Sequence, residues 1–128
     1  MTAMNEDVAG ALARERTIDI TTIGRRSGKP SRIETWFHRV GGEFYLTGSP
    51  GRRDWYANLL EHPDFTFHLK GSVRADLPAR ATPITNEAER RSIMGQILRA
   101  LDQPENLEAW VAGSPLARVE FNASQGGE

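Results

Sequence analysis

A chain of 128 residues that is 38% hydrophobic, 26% charged and free of cysteine has the size of one domain, and a disulfide scaffold is closed to it. Its longest apolar runs are three or four residues, far from the roughly 20 that a membrane-spanning helix needs. The acidic, polar start MTAMNEDVAG is unlike a secretory signal, so a cytoplasmic protein without an integral membrane segment is expected. A net charge of −1 also speaks against a general nucleic-acid binder.

Charge is unevenly spread. Residues 24–53 hold seven basic side chains (Arg25, Arg26, Lys29, Arg32, Arg39, Arg52, Arg53) against Glu34 and Glu43, a local +5, whereas the other 98 residues sum to −6. Such a patch on an acidic chain points to a localised anion site or to a solvated face.

In chain order, residues 1–16 read as an N-terminal arm in which Val8, Ala11 and Leu12 allow a helical turn or two. TIDITTI, from Thr17, is rich in β-branched residues and alternates as a strand. GRRSGKPSR then breaks it as a hairpin or wide turn. A second strand, Ser31 to Val40, sets Ile33, Thr35 and Phe37 on one face and Arg32, Glu34, Trp36 and His38 on the other. Gly41-Gly42 turns the chain into EFYLTG, its antiparallel partner. After the loop SPGRR, Asp54 is positioned to cap a helix over WYANLLEH, which His62-Pro63 ends.

Phe65 to Leu69 and Val73 to Ile84 read as two further strands, the second confined to an edge or a bulge by Pro78 and Pro83. Asn86 with Glu89 forms a capping box for a long helix to Leu101, with Ile93, Ile97, Leu98 and Leu101 on one face. Pro104 suits the first turn of a short helix through Trp110 and Val111, and LARVEF is a last strand. The fold class is therefore α+β: residues 17–121 form an antiparallel barrel of about six strands with two or three helices, and residues 122–128 form a disordered tail.

No thiolate, nucleophile elbow, Walker loop or metal-ligand spacing is present, and His38, His62 and His68 read as surface or satisfied residues. An enzyme built this way relies on a cofactor for its chemistry. Two loops are suited to hold one: Gly24 to Arg32, with Arg25, Arg26, Ser27, Lys29, Ser31 and Arg32, and Ser49 to Arg53, with Ser49, Gly51, Arg52 and Arg53 ahead of a helix N-terminus. Trp36 and Trp55 are candidates to stack on a planar ring, although Trp55 reads first as core, and Asn58 reads as a structural bridge.

The motifs T-x-G-R-R-S-G-K-P, from Thr22, and W-Y-x-N-L-x-x-H-P, from Trp55, resemble the deazaflavin-dependent nitroreductase family over residues 17–84 and the final strand. That resemblance implies a split β-barrel related to the FMN-binding pyridoxamine-phosphate oxidases, a homodimer, and coenzyme F-420 as the cofactor. Reduced coenzyme would pass hydride from its C5 to a small-molecule acceptor, a quinone, nitroaromatic or enone. By position, Arg25, Arg26, Ser27 and Lys29 match the family's tail-binding loop, Trp36 a ring-facing aromatic, and Ser49, Arg52 and Arg53 the phosphate contact. The chain lacks the C-terminal tyrosines of nitroimidazole-reducing members. The alternatives are FMN in the same fold, or a non-catalytic carrier of haem, lipid or another planar ligand.

Overall fold

The computed structural model describes residues 6–122, so the first five residues of the expected arm and residues 123–128 of the expected tail lie outside it. Amphipathic spacing makes Glu6–Arg14 a helix, α1, which buries Val8, Ala11 and Leu12. This segment is thus a packed part of the fold. The strands β1 (Thr17–Ile23), β2 (Pro30–Val40) and β3 (Glu43–Thr47) follow through short turns. Gly41 and Gly42, with φ of 58° and 85°, supply the left-handed pair that the β2–β3 turn requires.

Next come helix α2 (Asp54–Glu61), strands β4 (Asp64–Lys70) and β5 (Arg74–Pro83), helix α3 (Glu87–Ala100), a short helical turn at Pro104–Asn106, helix α4 (Leu107–Gly113) and strand β6 (Leu116–Phe121). The described residues thus hold four α-helices where two or three were expected. All six strands pair antiparallel in the closed order β1-β2-β3-β6-β5-β4.

Closure corrects the reading of β5, which pairs with β4 on one side and β6 on the other and has no free edge. Its prolines mark where the partner strands stop. The Pro78 carbonyl accepts from Asn122 N, one residue beyond β6, so the missing Pro78 N–H faces past the end of that strand. Pro83 lies on the opposite parity, beyond Asp64↔Arg80, the last β4 pair. Neither proline removes a ladder bond.

Two cores result. Inward residues of the strands, among them Ile18, Ile20, Phe37, Leu46, Phe67 and Val119, fill the barrel, with Phe67 edge-on to Phe37 and Phe121 at 5.2 and 5.1 Å between ring centroids. Helices α1 and α2 add Leu12, Trp55 and Leu59 to this core. A second cluster lies outside the barrel wall, where Ile93, Met94, Ile97 and Leu98 of α3 and Trp110 and Val111 of α4 cover Tyr45 and Leu116. The Asn86 side chain accepts from Glu89 N at 2.9 Å, so the capping box starts α3 at the expected place.

Candidate cofactor site

Strand periodicity places Trp36 and His38 on the outer face of β2, their ring centroids 6.5 Å apart. Trp36 is 48% exposed, an unusual degree for tryptophan in a strand. These two residues form one wall of a cavity of about 460 Å³ also lined by Ser49 and Arg53 of the β3–α2 loop, Trp55 of α2 and Trp110 of α4. All three tryptophans of the chain therefore converge on one space. Trp55 packs in the barrel core, 7% exposed, and also lines this cavity. A second cavity of about 680 Å³ shares Arg53 and adds Gly51, Arg52 and Tyr56. Burial raises the Tyr56 phenol above its ordinary range, with the nearby Arg90 charge opposing the shift.

The basic loop between β1 and β2 is tightly tied. Gly24 N donates to Lys29 O at 2.8 Å, Gly28 N to Gly24 O at 2.9 Å, and Lys29 N to Ser27 Oγ at 3.1 Å. Gly28 takes φ of 70°, and a Cβ on Gly24 would collide with Ser27 Oγ. Arg25 docks this loop on α2: its N and Nη1 both donate to Asn58 Oδ1, at 3.0 and 2.9 Å, and its Nη2 lies 3.4 Å from Asp54 Oδ1. Asn58 is buried and in turn donates to Thr22 Oγ1 at 3.2 Å. The two loops thus meet at the first turn of α2. Asp54 is the first helical residue, where the sequence placed it as the cap; Arg53 holds the cap position, with no side-chain cap bond.

Of the expected anion contacts, Arg26, Lys29 and Arg52 are exposed, with side chains free of partners among the described residues. The other arginines of the set are engaged. Arg53 Nη2 donates to Ser49 O and Oγ at 3.0 and 3.3 Å and braces its own loop. Arg32 Nε donates to Asp19 Oδ2 at 2.9 Å, in a network where Lys70 bridges Asp19 and Glu34. Lys70 and Arg32 hold the Asp19 carboxyl below its ordinary range. Ser31 is exposed at the start of β2 and lines neither cavity.

Replacing Asn58 with alanine is expected to cost about 2 kcal/mol, because Arg25 N and Thr22 Oγ1 lose their partner in a buried setting. A urea-unfolding midpoint unchanged from wild type would contradict that assignment.

His38 differs from the surface or satisfied residue expected of it. It is half-buried on the cavity wall, and no hydrogen bond engages either ring nitrogen among the described residues. Burial first, then the Arg16 charge, pushes its pKa down to about 4. The unfolded chain, with an ordinary value near 6.5, therefore binds the proton that the native state refuses. Stability attributable to His38 is lost as pH falls from about 6.5 toward 4. The variant His38→Leu is expected to show a smaller fall in Tm between pH 7 and pH 5 than wild type, and equal falls would contradict this. The paired carboxylates Asp19, Asp76 and Glu108, all held low, weaken the fold only at more acid pH.

His68 is satisfied as expected: buried, it sits between Asp76 Oδ1, 2.6 Å from Nδ1, and Thr21 Oγ1, 2.7 Å from Nε2. Sequence reasoning missed His38 and Trp110. The signal for His38 was its place two residues from Trp36 on one strand face; none marked Trp110.

A closed six-stranded antiparallel barrel with helices inserted after β3 and β5 is the pyridoxamine-phosphate-oxidase-like fold. Solved structures agree. A conserved hypothetical protein from Mycobacterium tuberculosis superposes with a TM-score of 0.74 at 18% identity, covering 94% of this chain and 82% of that one. An F420-H2 dependent reductase gives 0.60 at 21%, over 83% and 95%. A Listeria innocua protein named for pyridoxamine 5'-phosphate oxidase gives 0.67 at 12%, over 91% and 92%. These likenesses establish the fold.

The family model for F420H(2)-dependent quinone reductase matches residues 2–106, and the chain belongs to that family. It is an F-420-dependent oxidoreductase family member whose class passes hydride from the reduced deazaflavin to an acceptor. Among the described residues no helix is long and apolar enough to cross a membrane.

Proposed function

We propose that this chain reduces quinones with F-420 bound in the tryptophan-lined cavity. When bound, the coenzyme supplies a hydride at its C5. The observation that carries the reading is the convergence of Trp36, Trp55 and Trp110 on one cavity of about 460 Å³, next to a loop system with three unpaired cations, Arg26, Lys29 and Arg52. A flat tricyclic ring needs apolar faces, and an anionic chain needs partnerless cations. The residues present suit both.

In this reading the tryptophans exclude water from the ring and fix its plane. Ser49 and the amides of the first turn of α2 receive the phosphate, since that turn has no side-chain cap of its own. Arg26, Lys29 and Arg52 neutralise the carboxylates further out. Arg25 and Asn58 act one step behind, holding the loop in register with α2. FMN has one phosphate and no carboxylate tail, so it leaves part of this cationic surface unused. The reading includes a homodimer, which the structural similarity to a chain described as a domain-swapped dimer supports, and which light scattering tests.

A fluorescence titration of cofactor-free protein with F-420 and, separately, with FMN at equal salt tests the site. Saturable F-420 binding at least tenfold tighter than FMN is expected. The reverse order would overturn the assignment of the cofactor to this site.

A further inference from the structure

The wall of the cavity beyond Trp36 raises a question of its own. Strand β2 starts beside Lys29, and at about 3.3 Å per residue Trp36 and His38 lie about 20 and 26 Å along it. A ligand with its anionic chain at the basic loop and its ring at Trp36 therefore leaves His38 at the far end. Leu101, Gln103 and Trp110 line the same cavity. Among the other polar side chains in the cavity, Thr47 Oγ1 donates to Pro115 O at 2.5 Å, Arg53 braces Ser49, and Gln103 is held through its Oε1, which accepts from Asn106. The His38 imidazole offers a donor and an acceptor, with neither engaged among the described residues.

We propose that His38 donates its ring N–H to the carbonyl oxygen of the electron acceptor. This rests on the cofactor reading above and assigns the position next to it.

The chemistry of the acceptor fits that contact. Hydride addition to a quinone places two electrons on it and leaves one oxygen as an anion, and a proton from water then completes the hydroquinone. A fixed N–H aimed at that oxygen is worth more as the anion develops than in the ground state. The imidazole serves as a neutral donor. Arg16 faces it, and Arg14, Glu15 and Arg39 line the small cleft on its other side, so the charges around it are mostly positive. In that setting a neutral ring that keeps its proton while polarising a carbonyl is the favoured form.

The test uses wild type, His38→Leu and His38→Gln, with menadione as the quinone. Both variants are expected to bind F-420 within twofold of wild type. With menadione, kcat should fall about 100-fold in His38→Leu and recover about tenfold of that in His38→Gln, which restores an N–H donor. Independently of turnover, the His38 imidazole ¹⁵N resonances of wild type should shift on adding menadione, with or without oxidised F-420, and stay in place with F-420 alone. Full menadione turnover by His38→Leu, or ring resonances that respond to F-420 and not to menadione, would overturn the proposal. Failure of wild type to bind F-420 is a different result, which removes the cofactor reading. The quinone-induced shift in the same sample still decides the His38 contact, even if His38→Leu does not fold.

Discussion

Replacing Arg90 with leucine is expected to lower the stability of the fold by about 3 kcal/mol, seen as a fall in the urea midpoint at unchanged slope. This one guanidinium donates to four main-chain carbonyls: Ile84 O at 2.9 Å, Val111 O at 3.0 Å, Trp110 O at 3.2 Å and Ser114 O at 2.7 Å. The carbonyls of Trp110 and Val111 belong to the last turn of α4, where the capping Ser114 N–H donates to Trp110 O at 3.0 Å and where the helix dipole favours a cation. At seven residues α4 is too short to persist without such support. Lysine, with one ammonium in place of a planar fork, should recover less than half of the loss. Because α4 carries Trp110 into the cavity, the leucine variant should also bind F-420 more weakly. A loss below 1 kcal/mol would mean that water replaces the guanidinium and that Arg90 does not hold α4 in place.

The second large effect concerns charge. Substituting alanine for Arg26, Lys29 and Arg52 together should weaken F-420 binding about 100-fold, which corresponds to about 2.7 kcal/mol. The same variant should lose no more than about tenfold in FMN affinity, since one phosphate draws on fewer charged contacts. Stability should stay within about 0.5 kcal/mol of wild type, because these side chains are exposed and have no partner to lose. Higher salt should narrow the gap between wild type and variant. Equal weakening of the two cofactors would show that the three cations do not meet the tail. Titration by fluorescence at two ionic strengths separates these outcomes.

What could be read from the sequence follows from the range of each interaction. Local rules act within a few residues, so the strand faces of β2, the Gly41-Gly42 turn and the Asn86–Glu89 box were all legible. Asn58 was readable as structural because a polar residue between apolar helix neighbours must bridge something. Its partners, Thr22 and Arg25, come from 36 and 33 residues away and were not. The same distance hid the fate of two basic residues. A run of arginines looks uniformly available, yet Arg25 is spent on Asn58 and Arg32 on Asp19, through contacts that exist only once β1, β2 and α2 are assembled.

Arg90 shows the limit most clearly. Its acceptors are backbone carbonyls 6 to 24 residues away, and backbone carbonyls carry no sequence signature. Pro78 and Pro83 misled because an edge strand and a strand whose partners end early excuse a missing N–H equally well. Trp110 was visible as an apolar residue of a short helix. Only the packing of α4 against α3 turns it to the cavity shared with Trp36 and Trp55.

The most direct test of the central claim is anaerobic stopped-flow mixing of protein, reduced F-420 and menadione, following the return of the oxidised coenzyme's absorbance. The account predicts protein-dependent oxidation that saturates in both reactants and weakens about 100-fold in coenzyme affinity when Arg26, Lys29 and Arg52 are replaced together. Oxidation no faster than in buffer, with reduced FMN supporting turnover in its place, would contradict it.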